Sequence, residues 1–504
     1  MRQIFLVGLL AGVAACGSSG QPPSEPKAEL AEPQAEAPPL PLVAEVEPPI
    51  QPLEPMELDR GQRRALLRTF AGSEQAARVV RNKEDNGRVE LSAGGGLDYA
   101  QAERDLGKAQ ASLAAMSSTG LPTFLLLHKV SDDGYLWSWL IGPEGVVAVD
   151  RSPERFDGLE NVVDGLGVTR IAGTRSVRGE GEPPPTPEAI RAMIREDQSP
   201  RSRARREDTL VEARNALLPG SVGAALGKSA GRLLVIAAKD TGTAPYAALP
   251  LDNGFAAKHW SFVIMPDIKT LAGSDPTFDF RSLDLGKAVI VGDPDLSQDP
   301  LFDWAPLPGA RREAQMVAER LHIPPEDVLM GDQATHKSFR RALNKLTGEG
   351  LVYIASHAVA DPRNPLTRGF VAMTGEHYYA GYIRQEQFSD WRRQPPLVVM
   401  SACQTALGRV LEGGQFGVTR SWYKAGAGQV VGSLWNVSDP ATLLLMHHFT
   451  SRLVAGDAPE IAMQYAQQKT MMYKDKKGNQ PYLDDPKMWA SFAIFGRPSR
   501  DPVS

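Results

Sequence analysis

The sequence predicts an α/β protein whose mostly parallel sheet is covered by helices on both faces. Short, continuous apolar runs recur along the second half of the chain, as strands buried on both faces require. Stretches of helical length separate these runs, as crossovers between parallel strands require. Over residues 286–499 the runs are Ala288–Gly292, Leu351–Ser356, Leu397–Ser401, Gln429–Trp435 and Ala490–Phe495, and the helices lie near Ala310–Leu321, His336–Leu346, Phe416–Ala425, Ala441–Val454 and Pro459–Met472.

A smaller α/β half-domain is predicted ahead of this unit, over residues 120–285. Its apolar runs are Thr123–His128, Gly134–Ile141, Gly145–Val149 and Arg232–Ala238, with helices near Pro187–Arg195 and Arg206–Leu218. The arginine-rich segment Ser199–Arg206 joins these helices. We interpret it as a solvated loop, and self-processing of the chain at its basic residues is the alternative.

Residues 59–118 are predicted to form a short helical segment. Ala, Arg, Gln and Leu dominate Arg60–Arg81 and Asp98–Met116, and the run Ser92–Gly96 interrupts them. We find no 34-residue helical repeat in these residues, which are too few for three repeats.

Composition excludes some classes of function. The formal charge is −5 and the pI is about 6.0, which gives no overall positive charge to attract a polyanion, whose binding depends on Lys and Arg that neutralise phosphates. We therefore expect no nucleic-acid partner. The 504 residues contain only two cysteines, Cys16 and Cys403, which excludes a dense disulfide framework.

Residues 1–15 are predicted to be a lipoprotein signal peptide. Arg2 gives a positive start, Ile4–Val13 is apolar, and small residues precede Cys16. The apolar run is shorter than the roughly 20 residues that a transmembrane helix needs. Val13–Cys16 resembles a bacterial lipobox, which implies lipidation of Cys16 and attachment to a membrane outside the cytoplasm. An ordinary secretory signal cleaved near Ala15 is the alternative.

The lipidated Cys16 and the residues after it, to residue 58, are predicted to form a linker. Pro, Ala and Glu dominate Gly17–Pro55, and this composition cannot bury enough apolar surface to offset the entropy of ordering. Such a spacer would hold the folded part on the order of 100 Å from the lipid surface. Gly17 and Ser18 replace the Asp that commonly retains lipoproteins at an inner membrane, which favours the outer membrane and periplasm.

Two reactive side chains follow predicted strands. His357 comes after Leu351–Ser356, and Cys403 comes after Leu397–Ser401. Ligands bind outside the carboxyl ends of strands in sheets of this kind, so neighbouring strands would bring imidazole and thiol into one crevice. Cys403 would act as nucleophile, His357 as general acid and base, and backbone N–H groups near Ala358 and Cys403 as oxyanion donors. A thiol inert in the core is the alternative.

Several motifs resemble those of CHAT domains, in the family's order. They are Leu307–Ala314, Ala355–His357, Val399–Thr405, Gly413–Gly414, Gly426–Gly428, Val431–Asp439 and Trp489–Phe492, with Pro245–Pro250 further upstream. CHAT domains are related to caspases and separase, so the resemblance implies a caspase-like fold over residues 120–499 with its catalytic part at 286–499. It also implies thiol-dependent cleavage of protein or peptide substrates. Ala358 stands where the family usually has Gly, and Gln404 where it commonly has an acidic residue.

The resemblance further implies that the segment Ser433–Asp439 lines the pocket for the residue before the scissile bond. Trp435 would supply an apolar wall, and Asp439 would favour a basic residue before the scissile bond. The alternative is that Asp439, which precedes Pro440, caps the next helix.

We predict no cofactor and no metal. The carboxylates Asp293, Asp295, Asp299 and Asp303 lack a calcium-loop spacing and are expected to be solvated, and His447–His448 has no further ligand in phase for zinc. The main alternative to a membrane-anchored cysteine endopeptidase is a catalytically inactive CHAT-like module that binds partners at the envelope. Acyl transfer through the same Cys and His is a third class.

Overall fold

Helices cover both faces of an eleven-stranded sheet in the part of the chain that the computed structural model describes. That part comprises residues 51–71, 98–118, 120–159, 166, 176–177, 199–300, 302–304, 307–346, 350–359, 367–386, 396–402, 405–406, 409–411, 414–416, 418–435, 437 and 439–500. The predicted signal peptide, Cys16 and most of the predicted linker lie outside these residues, and so does the predicted helix near Pro187–Arg195.

The secondary structure alternates as the apolar runs predict. The strands are β1 Thr123–Val130, β2 Tyr135–Ile141, β3 Val146–Arg155, β4 Ser176–Val177, β5 Gly231–Ile236, β6 Pro250–Leu251, β7 Gly254–Phe255, β8 Trp260–Met265, β9 Ala288–Pro294, β10 Phe302–Asp303, β11 Val328–Gly331, β12 Leu351–Ala355, β13 Ala358–Val359, β14 Phe370–Val371, β15 Tyr378–Tyr379, β16 Leu397–Ser401, β17 Arg409–Leu411, β18 Gly414–Phe416, β19 Gln429–Ser433 and β20 Phe492–Gly496. The α-helices are α1 at 60–71, α2 Tyr99–Ser118, α3 Pro200–Leu217, α4 Gly220–Leu226, α5 Ile268–Leu271, α6 Pro308–Arg320, α7 His336–Lys345, α8 Ala380–Glu386, α9 Val418–Ala425, α10 Asp439–Val454, α11 Pro459–Met471 and α12 Pro486–Trp489.

The large sheet has the strand order β11-β9-β12-β16-β19-β20-β8-β5-β1-β2-β3. The five strands from β11 to β19 are parallel to one another, β20 is antiparallel to β19, and β20, β8, β5 and β1 are again parallel. Strands on both sides of the predicted boundary at 285/286 therefore belong to one sheet.

Side chains alternate between the two faces of the sheet, as the period of a strand requires. Leu351 and Tyr353 of β12 pack in the core that contains α6, α10 and α11, whereas Val352 and Ile354 pack in the core that contains α7, α8 and α9. The helices α1 and α2 belong to the first of these cores. This arrangement confirms the predicted α/β fold with helices on both faces.

The prediction of a loop over Ser199–Arg206 is wrong, because helix α3 begins at Pro200. The Ser199 side chain accepts a hydrogen bond from the backbone N–H of Ser202 at 3.2 Å. Ser at the cap followed by Pro at the first helical position starts a helix well, since the proline has no N–H to leave unpaired. The basic side chains therefore extend from a helix.

Within the described ranges, no helix is both long enough and apolar enough to span a bilayer.

The buried His128 of β1 makes the stability of this fold sensitive to acid. The Ser138 hydroxyl donates to Leu217 O at 3.0 Å, so His128 Nδ1, 3.0 Å from Ser138 Oγ, is the donor of that pair. Burial lowers the pKa of His128 from 6.5 to about 3. Between these two pKa values the imidazole is protonated in the unfolded chain and neutral in the folded protein. The free energy of unfolding therefore falls as the pH drops from about 6.5 towards 3.

We expect the free energy of unfolding to fall by up to about 1.4 kcal/mol per pH unit in this window because of His128 alone. His128→Asn keeps a donor for Ser138 and should flatten the slope by about that amount. Urea unfolding between pH 5 and 7.5 measures it. The matched control is His322→Asn, at an exposed position, and an equal slope in His128→Asn and the wild type would contradict the assignment.

Candidate active site

The strands β12 and β16 end at the same edge of the sheet. They are parallel neighbours with Ala355 opposite Ser401, and Ser356 N donates to Ser401 O at 3.3 Å. His357 leaves this edge two residues after Ala355. Ala402 is the last described residue before Cys403, and Cys403 and Gln404 lie outside the described residues. The structure thus places His357 at the predicted edge and fixes the chain that leads to Cys403.

The segment around His357 is held by hydrogen bonds to the strand after it. Ala372 N donates to His357 O and the Ser356 hydroxyl donates to Ala372 O, both at 2.8 Å. The His357 side chain is 7% exposed, and its ring lies 4.9 Å from the Trp304 ring, centroid to centroid. The imidazole is therefore packed in a fixed environment at the edge of the sheet.

The predicted oxyanion donor Ala358 opens the short strand β13. Ala358 pairs with Val371 in the antiparallel β13–β14 ladder, next to the hydrogen-bonded pair of His357 and Ala372. Because hydrogen-bonded and non-hydrogen-bonded pairs alternate in such a ladder, Ala358 occupies a non-hydrogen-bonded pair. Its N–H points away from β14, and its methyl group packs in the core.

The residues on both sides of Cys403 are tied to the end of β19 by Ser433. The Ser433 hydroxyl donates to Ala402 O at 2.5 Å and accepts from Thr405 N at 3.3 Å. Ser433 N in turn donates to Thr405 Oγ1 at 2.9 Å. A Cβ added at Gly432 would lie 2.5 Å from Thr419 Cγ2, so glycine is required for this close approach. The motif from Val431 onwards therefore holds Ala402 and Thr405, the described residues on either side of Cys403 and Gln404.

The two predicted pocket residues have different outcomes. Trp435 is 2% exposed, packs in the core and donates from Nε1 to Lys487 O at 3.2 Å, which does not fit an open pocket wall. Asp439 is the first residue of α10. This position suits an acidic residue, since the positive end of the helix dipole lies there. Its proposed preference for basic substrate residues stays a prediction.

Sequence analysis missed a buried cluster beside His357. The expectation that Asp299 is solvated is wrong, because Asp299 is only 6% exposed. Its Oδ2 accepts a hydrogen bond from Trp304 Nε1 at 2.6 Å and lies 2.9 Å from His377 Nε2. Burial lowers the pKa of His377, and the nearby Asp299 carboxylate opposes that effect. Phe302 and Trp304, which flank Asp303, are a signal in the sequence that could have indicated a buried cluster here. Among the described residues, no cluster of three or more His, Cys, Asp or Glu side chains is arranged to hold a metal ion.

The fold places the protein in the class of caspase-like α/β proteins. Part of one chain in the separase–securin complex of Saccharomyces cerevisiae has a similar fold, with a TM-score of 0.51 and 10% identity over 88% of this chain and 34% of that chain. The CHAT domain family matches residues 207–497, more than half of the sequence. The chain therefore belongs to the CHAT domain family.

Curated relatives resemble part of the chain at low identity. Tetratricopeptide repeat protein 28 is 25% identical in Mus musculus and 24% identical in Homo sapiens, each over 296 residues. These alignments cover 50% of this chain and 11% of each relative, so the chain spans about a tenth of the length of these relatives.

Proposed function

We propose that the protein is a membrane-anchored cysteine endopeptidase that cleaves protein substrates with Cys403 and His357. The observation that carries the proposal is the pairing of Ala355 with Ser401. This pairing brings the segments that follow β12 and β16 to the same edge of the sheet. The segment after β12 carries the His357 imidazole, and the segment after β16 leads to Cys403. Membership of the CHAT family supports the same chemistry.

The proposed reaction needs no cofactor. The Cys403 thiolate attacks the scissile carbonyl carbon, and the N–H groups of Ala358 and Cys403 stabilise the resulting oxyanion. Protonated His357 donates its proton to the leaving amine as the C–N bond breaks. Neutral His357 then takes a proton from water, which attacks the thioester, and the acid product leaves as the thiolate reforms.

The decisive experiment incubates the purified full-length chain with a diverse peptide library, beside its Cys403→Ala twin. Cleavage at defined bonds by the wild type alone is the expected result. Cleavage by both proteins would overturn the proposal. Intact peptides from both, with retained peptide binding, would favour the inactive binding module, and peptides that gain mass through a new acyl linkage would show acyl transfer.

The proposed membrane anchor is lipidated Cys16, with the outer membrane as its site. The signal-like residues 1–15 and the proline-rich linker of residues 16–58 support it. Metabolic labelling with an alkyne-tagged fatty acid should mark the wild type and spare the Cys16→Ser variant, and membrane fractionation distinguishes inner from outer membrane. An unlabelled, soluble mature protein would indicate an ordinary secretory signal instead.

A further inference from the structure

Trp304 lies over His357, and a buried hydrogen-bonded pair holds Trp304. We propose that Trp304 is a positioning residue for the His357 imidazole and that Asp299 and His377 keep Trp304 in place. The inference rests on the proposed function, because it assigns these residues a part in the action of the dyad.

The contact between the two rings defines the plane of the imidazole. The Trp304 and His357 rings are 4.9 Å apart, centroid to centroid, with an angle of 30° between their planes. The terminal torsion of a histidine side chain has a broad energy profile, so neighbouring groups must select its orientation. A large ring on one face restricts the rotation of the imidazole about this torsion.

The position of Trp304 is set by Asp299 rather than by packing alone. The indole N–H donates to Asp299 Oδ2 at 2.6 Å, and the Asp299 side chain is 2% exposed. A hydrogen bond to a buried carboxylate is short and strong, and its geometry fixes the rotation of the indole. Trp304 itself remains half-buried, so this bond supplies order that burial does not.

His377 contacts the same Asp299 oxygen as Trp304. Its Nε2 lies 2.9 Å from Asp299 Oδ2, and Met373 N donates to its Nδ1 at 3.4 Å. His377 Nε2 carries the proton in its contact with the Asp299 carboxylate, and Nδ1 also lies 3.3 Å from Met373 O. Phe370 stacks on His377 with centroids 4.4 Å apart and planes 6° apart. The loop after β9 is thereby fixed to the strand that also binds His357 O.

Three substitutions test the chain of contacts. Trp304→Leu removes the ring, Trp304→Phe keeps an aromatic face without the N–H, and Asp299→Asn weakens the support of the indole. Trp137→Leu, at a half-buried tryptophan of β2, is the matched control. Two readouts separate positioning from folding: the split between kcat and KM, and the pH profile of iodoacetamide alkylation at Cys403, followed on its tryptic peptide by mass spectrometry.

We expect Trp304→Leu to lower kcat by on the order of tenfold to a hundredfold with little change in KM, since a displaced catalytic group slows the chemical step. Its alkylation profile should shift towards higher pH, towards that of His357→Ala, because a mispositioned imidazolium stabilises the thiolate less. Trp304→Phe keeps an aromatic face but loses the bond to Asp299, so both of its readouts should fall between those of Trp304→Leu and the wild type. Asp299→Asn weakens the same bond and should shift the profile in the same direction as Trp304→Leu but by less. Trp137→Leu should match the wild type.

The outcomes separate this inference from the proposed function. Identical alkylation profiles for the wild type and His357→Ala would show that His357 does not influence Cys403. That result would contradict the proposed dyad and the proposed function. Different profiles for those two, with a folded Trp304→Leu variant that tracks the wild type, would overturn the positioning role alone. If Trp304→Leu does not fold, Asp299→Asn decides, and a wild-type profile in that variant overturns the inference.

Discussion

His357→Ala and Cys403→Ala should each lower kcat for peptide cleavage by at least about 10³-fold. The thiolate forms the new bond and the imidazole protonates the leaving amine, so neither group can work without the other. The double variant should therefore be no slower than either single variant, since residues that act as one unit are grossly non-additive. Steady-state kinetics on the best library peptide measures all three.

Folding must be held constant in this comparison. His357 lies at the end of a strand whose hydrogen bonds use the backbone, so we expect the thermal midpoint of His357→Ala to move by only a few degrees, the shift that about 1 kcal/mol produces. His322→Ala, at an exposed histidine, is the matched control and should keep full activity. Turnover near the wild-type rate in a folded Cys403→Ala protein would rule out the mechanism.

The apolar runs predicted most of the large sheet. β9, β12, β16 and β19 coincide with predicted runs because parallel strands buried on both faces need continuous apolar sequence. β11 was not predicted: it is a four-residue strand at the edge of the sheet, too short to show a pattern. β8 was not predicted either, although Trp260–Met265 is as apolar as its neighbours. Its role became evident only from its pairing with β5 and β20.

The reversal at β20 was not predicted. β19 and β20 are separated by two long helices that pack on each other, α10 and α11, and by the short helix α12. Apolar runs alone carry no direction, because a strand buried on both faces needs continuous apolar sequence whichever way it runs.

The site was predictable only where it depends on strand ends. The position of His357 followed from the rule that chemistry gathers at the carboxyl edge of a parallel sheet. The contacts of Trp304, Asp299 and His377 did not, because they depend on how the loop after β9 folds back over the edge. The carboxylates of this loop were expected to be solvated, whereas the structure pairs Asp299 with the Trp304 indole and the His377 ring.

A buried ion pair joins the two oppositely directed parts of the sheet. Arg232 of β5 and Glu460 of α11 are both 0% exposed in their side chains, with Arg232 Nε 3.1 Å from Glu460 Oε1. Glu460 also accepts hydrogen bonds from Ser499 N at 3.0 Å, from the Ser499 hydroxyl at 2.8 Å and from Gln429 Nε2 at 3.0 Å. Gln429 opens β19, on the other side of the antiparallel seam from β5. One carboxylate thus holds groups from both parts.

Glu460→Ala should lower the free energy of unfolding by about 3 to 5 kcal/mol, because it removes the carboxylate partner of a charge that is buried away from water. Glu326→Ala, at an exposed glutamate, should change stability by no more than about 0.5 kcal/mol. Urea unfolding of purified variants measures both. Glu460→Gln keeps one oxygen acceptor where the carboxylate offers two to Ser499 and Gln429. Adding Arg232→Met to this protein removes the buried charge that has lost its carboxylate, so it should recover part of the stability that Glu460→Gln loses. If the double variant loses as much free energy of unfolding as the two single variants combined, Arg232 and Glu460 stabilise the fold independently. That result would show that the charge pair itself adds no stability.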